Sequence, residues 1–467
     1  MTVGTGKVYT LWDSDTWDDG LVWDHASSSI IQEIKKPASR VFRRAYVKRR
    51  LATTGLFEDE WQEITKDVKN WGSVSTDIDV ERVGKLSFSG AQLVMSNIDG
   101  SYNPEDNTDS MWSGYASQQR SLVKIEVGFY FRWLGSDGVW RNEVVPDDPT
   151  VFVGIISGNI NVSDGNEIML DIQPLSQVFR DFPANLLTGF TSTGMTASKF
   201  MELLRDQTSG GNYVFRPFFN DTSSYWEITS TTQVYTNLNT SSAADLHQMT
   251  TWDVIEKLAQ SENYVSYISP TGKFRWVPKT VGASTTFEFF GLGITPDSTY
   301  GHTIKRVFRY GKKLTNFYSR VAVKFVNEDT NTSFVNTALA FAISGTNTAW
   351  NLGYRTFSVE NYWIPNSAAA ASIAGAIFSD VSSLKEEINF STSLIPHLNI
   401  LDRVEVSYDA KDFASRASYW DTNDWDEELL WDGSRGDAIV LSNQPFKVLS
   451  ININLDNLET RFVCKQI

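Results

Sequence analysis

The chain has 467 residues, which as a soft prior corresponds to about three domains. It carries 56 acidic and 41 basic residues, a net charge of −15, which argues against a protein whose main task is to bind phosphate backbones or an anionic membrane surface. Its 16 tryptophans, 17 tyrosines and 28 phenylalanines, together with 30 glycines, favour many short strands joined by polar turns.

The residue types that most often carry chemistry are sparse. Cys464 is the only cysteine, which excludes an intrachain disulfide and a cysteine-based zinc site. The four histidines are far apart in the sequence: His25, His247, His302 and His397. The chain has no nucleophile elbow, P-loop, dinucleotide fingerprint or H-E-x-x-H motif. The sequence therefore predicts no catalytic residue, no cofactor and no metal, and a protein that is not an enzyme.

Targeting signals are also missing from the sequence. The N-terminus has no basic n-region and no apolar h-region, and no run of 18 apolar residues occurs. We therefore expect a protein that folds in a cytoplasm, has no membrane span and would leave a cell by a route other than secretion.

The N-terminal region combines an acidic arm with a basic stretch. Residues 1–34 form the acidic, tryptophan-rich arm, which contains Trp12, Trp17 and Trp23. Eight positive charges follow in residues 35–50: Lys35, Lys36, Arg40, Arg43, Arg44, Lys48, Arg49 and Arg50. One interpretation is a barrel strand with a solvated basic face. The other is a contact with an acidic partner surface or with DNA, effective within a Debye length of about 10 Å.

Residues 35–178 are predicted to form a first β-barrel. Apolar and polar residues alternate from Thr76 onwards, a pattern typical of half-buried strands, and further strands are predicted at 61–64, 122–129 and 151–175. The strand that ends at Met95 runs into a corner whose signature residues are Asn97, Asp99, Gly100, Tyr102 and Pro104. Asp-Gly suits a turn with φ > 0, and proline cannot donate to a sheet ladder. We predict a rigid polar corner with a structural role.

Helices are predicted in the middle of the chain. Residues 179–300 are expected to form an α+β inserted domain with helices at Thr196–Gln207 and Thr250–Glu262. Thr196 or Ser198 could cap the first helix, and Thr250 and Thr251 could cap the second. A hairpin with the turn 269–272 follows the second helix. Residues 301–387 are expected to form a β region with a long helix from Ala368 to Glu386.

Residues 388–467 are predicted to form a second β-barrel that ends with two alternating strands, at 446–453 and 458–463. This barrel carries a tryptophan-rich insertion, 418–433, which contains Trp420, Trp425 and Trp431. Residues 420–432 match residues 12–24 at seven of thirteen positions without gaps, so we treat the two segments as an internal repeat.

Several interpretations of this repeat stay open. Its acidic side chains are hard oxygen ligands that suit calcium, although the EF-hand order is absent. Its tryptophans could stack on sugars, and a glycosidase would need two carboxylates across a cleft, but no pair can be singled out. The structural interpretation is a short aromatic loop on each barrel, with its tryptophans at a subunit or ring interface.

Three motifs in chain order resemble one known protein family. The corner reads S-N-x-D-G-x-Y-N-P, followed after a loop by V-x-I-x-V. A helix at residues 252–259 reads W-D-V-I-x-K-L-A and precedes a hairpin with T-G-K-F-R-W, and residues 396–406 read P-x-L-x-x-x-D-x-V-x-V. Over about residues 40–460 the chain resembles the tail hub (baseplate hub) proteins of tailed bacteriophages. Leu401 stands where that family commonly has glycine.

This resemblance implies a mainly β fold with α+β insertions, in which two small β-barrel hub domains flank a central helix–hairpin region. It implies a homotrimeric adaptor at the virion tail tip that joins the hexameric tail tube or distal tail ring to the three-fold tip and lines the DNA exit channel. The implied partners are tail tube or distal tail proteins and a tail-tip fibre or tape-measure protein, without stable nucleic-acid binding. The alternative is a carbohydrate- or receptor-binding tail-tip protein or a glycan hydrolase.

Overall fold

The computed structural model describes residues 33, 40–51, 53–78, 86–88, 90–103, 110–113, 115, 120–134, 138–145, 147–157, 161–163, 166–187, 194–220, 222–235, 249–291, 304–312, 317–325, 355–361, 363–364, 366–382, 385–409 and 440–467. Within these residues the chain is mainly β, as predicted. The strands are β1 (Arg40–Lys48), β2 (Gln62–Glu63), β3 (Val68–Asn70), β4 (Ser73–Ile78), β5 (Leu86–Phe88), β6 (Ala91–Ser96), β7 (Leu122–Leu134), β8 (Trp140–Val144), β9 (Thr150–Ile156), β10 (Asn161–Ser163), β11 (Glu167–Pro174), β12 (Met195–Thr196), β13 (Thr208–Ser209), β14 (Asn212–Tyr213), β15 (Trp226–Ile228), β16 (Val234–Tyr235), β17 (Tyr264–Ile268), β18 (Phe274–Pro278), β19 (Phe287–Phe290), β20 (Ile304–Lys312), β21 (Arg320–Lys324), β22 (Thr356–Glu360), β23 (Glu386–Ser393), β24 (Arg403–Asp409), β25 (Val440–Asn454) and β26 (Glu459–Gln466). The α-helices are α1 (Ser176–Arg180), α2 (Ala197–Asp206), α3 (Thr251–Glu262) and α4 (Ser367–Val381).

A first half-barrel sheet is built from the N-terminal part of the chain. Its strand order is β2-β1-β7-β9-β11-β6-β3, with β8 paired to β7 and β10 paired to β11. β11 shows why these segments form strands, because Ile168, Leu170 and Ile172 are buried while the residues between them are only half-buried. This period of two places one face of the sheet on a core.

A second half-barrel sheet has the order β19-β24-β25-β26-β23-β20. Its inner face is aromatic: Phe289 packs against Phe390 and Phe462, with ring centroids 4.9 and 5.2 Å away. The buried side chains of both sheets form one continuous hydrophobic core. The two sheets are therefore packed as one body, and the predicted mainly β fold class is confirmed with two half-barrel sheets.

Two strands from the N-terminal part of the chain join the second sheet. β4 pairs antiparallel with β25, and β5 pairs with β4, so both belong to the second sheet. The sequence analysis placed this segment in the first barrel. An alternating pattern fixes which face of a strand is buried, but it does not specify which sheet edge the strand will pair with. The predicted domain boundaries stay predictions.

A helical unit stands between the sheets in the sequence. The α2 helix is capped by Thr196, whose hydroxyl accepts from the Lys199 amide. The α3 helix has a capping box formed by Thr250 and Asp253. Both helices confirm the predicted positions. They enclose an aromatic core around Phe179, which the following hairpin, β17–β18, completes.

The α4 helix packs on the parallel pair β21–β22. Asn366 caps its N-terminus by accepting from the Ala369 amide. The helix ends at Val381, earlier than the Glu386 that the sequence analysis predicted. Glu386 is instead the first residue of β23, where its backbone takes part in the second sheet.

Candidate functional site

The signature corner follows β6 and is closed by its own backbone. Gly100 has φ = +74°, the left-handed conformation that the Asp-Gly pair predicted. Its amide donates to the carbonyl of Asn97 at 3.1 Å, and the amide of Asn103 donates to the carbonyl of Gly100 at 3.0 Å. Two successive turns therefore reverse the chain where the strand ends.

The buried side chain of Asn97 holds these turns together. Its Oδ1 accepts from the Tyr102 amide at 2.8 Å, and its Nδ2 donates to Asn103 Oδ1 at 2.7 Å. The Asn97 amide donates to the carbonyl of Asn166 at 2.9 Å, which fixes the corner to the strand beside it. One amide side chain thus satisfies groups on both sides of the corner.

Tyr102 anchors the corner to the core. Its hydroxyl donates to Asp67 Oδ2 at 2.6 Å, and burial together with that neighbouring carboxylate raises the pKa of Tyr102. Asp99 is exposed, and hydrogen bonds from Ser101 lower its pKa. Pro104 lies outside the described residues. Four of the five signature residues therefore lie together, and their contacts are those of a rigid support.

The junction between the two sheets lies close to this support. The Asp456 carboxylate accepts the amides of Trp71 and Gly72, at 3.0 and 3.1 Å, and the Leu455 amide donates to the carbonyl of Gly72 at 2.9 Å. From the first sheet, Arg43 donates to the carbonyl of Leu455 at 2.7 Å and stacks over Trp71. Side chains and backbone thus tie the β25–β26 turn to the chain just before β4.

The basic stretch is the barrel strand β1 together with its continuation, and several of its charges are bound within the chain. Arg49 makes a two-pronged ion pair with Glu58 and donates to the carbonyl of Met111. Arg50 donates to the carbonyl of Gly55. Lys35 and Lys36 lie outside the described residues. The strand itself is confirmed, but its basic face is not simply solvated, because internal contacts account for Arg43, Arg49 and Arg50.

A buried group of charges joins α4 to the outer face of the second sheet. The Asp380 carboxylate accepts hydrogen bonds from Lys447 Nζ at 2.6 Å and from Lys279 Nζ at 3.3 Å. Lys465 Nζ donates to the Asp380 backbone carbonyl at 3.3 Å. Burial alone would raise the pKa of Asp380, but the surrounding ammonium groups hold it below its usual range. Burial lowers the pKa of Lys465 to about 8. These lysines also face the negative end of the α4 dipole.

The segment that leads into β24 contains a leucine with positive φ. Leu401 has φ = +69°, a conformation that glycine adopts without strain and leucine rarely adopts. Its side chain is buried, and its amide donates to the carbonyl of Val448 at 2.9 Å. Leucine therefore occupies a backbone conformation that favours glycine, and the burial of its side chain offsets part of the strain.

The described residues contain no group of three or more histidine, cysteine, aspartate or glutamate side chains arranged to hold a metal ion. In the same residues, no helix is long and apolar enough to cross a membrane. The six tryptophans predicted to lie at an interface fall outside the described ranges: Trp12, Trp17, Trp23, Trp420, Trp425 and Trp431.

Sequence reasoning missed the residues that join the parts of the molecule. In the sequence, Asp456 falls between the last two predicted strands and Asp380 falls within the predicted long helix, and neither belongs to a motif. A carboxylate in the last turn of a helix is unfavourable next to the helix dipole, which was a signal that Asp380 has cationic partners.

No protein-family model matches the chain, and no curated protein matches it in sequence. Solved structures do match. A tail protein from Neisseria meningitidis MC58 is 11% identical, with a TM-score of 0.47 over 91% of this chain and 96% of that chain. The 43 kDa tail protein of prophage MuSo2 from Shewanella oneidensis is 10% identical, with a TM-score of 0.43 over 91% and 97%. Prophage tail protein gp18 from Listeria monocytogenes EGD-e is 9% identical, with a TM-score of 0.44 over 90% and 94%.

Proposed function

We propose that the chain is a structural tail hub protein of a phage virion. It acts as a homotrimer at the tail tip, where it joins the hexameric tail tube or distal tail ring to the three-fold tip and lines the channel through which DNA leaves. Its partners are those tube or ring proteins and a tail-tip fibre or tape-measure protein. DNA passes through the ring without stable binding.

The observation that carries this proposal is that one chain builds two half-barrel sheets in a single packed body. Both sheets share one hydrophobic core, and β4, from the N-terminal part of the chain, pairs with β25 in the second sheet. Three such chains would present six barrel positions, the number needed to match a six-fold tube above a three-fold tip. A heterologous contact between copies closes into a ring when the rotation between them allows it.

The sequence motifs and the charge agree with this role. The corner, the helix–hairpin unit and the lead-in to β24 occur in the order of the tail hub family, and each adopts the predicted local structure. A net charge of −15 suits a channel wall to which DNA does not adhere. A catalytic role has no comparable support.

The two tryptophan-rich segments are proposed to lie at matching positions on the two barrels, at a subunit or ring interface. The double substitution Trp17→Ala and Trp425→Ala should weaken assembly while each subunit stays folded. Sedimentation velocity would report the assembly, and the thermal unfolding midpoint would report the fold. Unchanged assembly of the double variant would contradict this assignment.

The rival function is binding of a carbohydrate or receptor at the tail tip. We expect the purified chain to sediment as a trimer, or to assemble on a tail tube protein, and to bind no glycan in an array. A monomer that binds a defined glycan would refute the hub and support the rival. Hydrolysis of a glycan by the purified chain would support an enzymatic role and refute a purely structural one.

A further inference from the structure

The strand β20 forms an edge of the second sheet. Among the described strands it pairs only with β23, so the backbone groups on its other side have no strand partner there. An edge strand of this kind is a template for pairing with another chain, and natural proteins commonly protect such edges with charge. The side chains of β20 therefore decide what this edge can bind.

This edge carries positive charge around an exposed aromatic ring. Phe308 is 41% exposed, and the guanidinium groups of Arg306 and Arg461 lie 5.0 and 5.2 Å from its ring centre. The two arginines come from different strands but lie in line, because both pair with Ser391. Lys305 and Arg309 are exposed beside them. We call these five residues the basic edge.

The charges of the basic edge are not neutralised by the described part of the chain. None of its four cations, Lys305, Arg306, Arg309 and Arg461, has an ion-pair partner among the described residues, whereas the neighbouring Lys312 lies 3.8 Å from Glu386. Two guanidinium groups on one ring repel each other, so an anionic partner would stabilise them both. In a chain of net charge −15, such a cluster is an exception that favours an acidic protein surface.

A surface of opposite charge lies at the edge of the other sheet. β2 is a terminal strand of the first sheet, and its Glu63 is exposed. The turn before it exposes Asp59 and Glu60. None of these three acids has an ion-pair partner among the described residues, although Lys66 lies nearby in sequence and is exposed. We call Asp59, Glu60 and Glu63 the acidic edge.

We propose that the basic edge of one copy of this chain binds the acidic edge of a second copy. The two edges lie on different sheets, so the contact is heterologous: each copy uses one edge toward each neighbour, and repetition generates a ring or a filament. The inference rests on the proposed function, because a hub ring requires such a contact. Backbone pairing at β20 would supply affinity, and the charges would fix the orientation.

Charge reversal on exposed residues tests this contact without disturbing the core. One variant carries Arg306→Glu and Arg309→Glu, a second carries Asp59→Lys and Glu60→Lys, and a third combines all four changes. A control with Lys199→Glu and Lys273→Glu changes the net charge by the same amount as the first variant at exposed sites elsewhere. Sedimentation velocity at several salt concentrations measures self-association, and thermal unfolding confirms the fold.

We expect each two-residue variant to associate at least tenfold more weakly than the wild type, and the combined variant to recover because the charges are exchanged. Association of the wild type should weaken with added salt.

If the wild type forms a trimer and the basic-edge variant forms it equally well, the proposed contact is wrong while the proposed hub function stands. If the combined variant fails to recover, the acidic edge is not the partner. If the basic-edge variant assembles like the wild type but binds duplex DNA more weakly in a gel-shift assay, the basic edge is a nucleic-acid site and the proposal is overturned. A wild type that stays monomeric and does not assemble on a tube protein refutes the hub itself.

Discussion

Removing the Asp456 carboxylate should loosen the junction between the two half-barrel sheets. This carboxylate accepts the amides of Trp71 and Gly72, and the Gly72 amide also donates to Asn70 Oδ1 at 2.9 Å, so the Trp71 amide depends most on Asp456. A hydrogen bond to a charged group contributes about 1.5–3 kcal/mol when buried. Because Asp456 is exposed and the Trp71 amide is only partly buried, we expect Asp456→Ala to destabilise the junction by about 2 kcal/mol in total.

Hydrogen–deuterium exchange of the Trp71 amide is the direct assay, and the Gly72 amide, which keeps its hydrogen bond to Asn70, should respond less. A loss of about 2 kcal/mol corresponds to exchange that is about thirtyfold faster. Because β4 follows this junction and pairs with β25, its amides should lose protection too. Asp456→Asn keeps one acceptor oxygen and should lose about half of the free energy.

Asn457→Ala is the matched control, because the structure assigns Asn457 only a backbone hydrogen bond in the same turn. A surface change without such a contact should alter stability by less than about 0.5 kcal/mol. If the Trp71 amide exchanges at the same rate in Asp456→Ala and in Asn457→Ala, the Asp456 carboxylate does not hold the junction and the reasoning is refuted.

Three further predictions concern single residues. Gly100→Val should lower the free energy of unfolding by about 1 kcal/mol more than Gly211→Val, because both have positive φ but only at Gly100 would a Cβ atom meet a neighbour, at 3.0 Å; equal losses in urea unfolding would contradict this. At Leu401, the free energy of unfolding should be highest for the wild type, lower for Leu401→Gly and lowest for Leu401→Ala. Both substitutions lose buried surface, but glycine relieves about 1 kcal/mol of backbone strain. A Leu401→Ala variant that is more stable than Leu401→Gly would show that this strain is absent. Burial lowers the pKa of His397 to about 4, against a usual 6.5, so the unfolded chain binds a proton at this residue more readily than the folded chain. The free energy of unfolding should therefore be highest above pH 6.5 and should fall by about 3 kcal/mol as the pH is lowered to 4. His397→Phe should flatten the stability profile over this window, and an unchanged profile would exclude His397 as its cause.

Local structure could be predicted from the sequence where it depends on residues within a few positions of each other. The capping threonines of α2 and α3 predicted where both helices begin, because a cap depends on residues within one turn. The same holds for Gly100, whose positive φ follows from a turn of four residues. The predicted end of α4 was wrong because the sequence shows no stop signal between the end of the helix at Val381 and the start of β23 at Glu386.

Long-range pairing could not be predicted from the same patterns. β4 has the alternation of a strand, but its partner β25 lies more than 360 residues later in the chain. Asp456 and Asp380 have roles only because distant amides and lysines converge on them. The basic edge also depends on register, because it aligns Arg306 of β20 with Arg461 of β26 across β23.

The central claim is that three copies of this chain form a ring that joins a six-fold tube to a three-fold tip. Native mass spectrometry of the purified chain, alone and mixed with the tail tube protein of the same virion, tests this claim most directly. The account predicts a homotrimer alone and a complex of three copies with six tube subunits in the mixture. A chain that stays monomeric in both samples, or that forms a ring of another copy number, would contradict it.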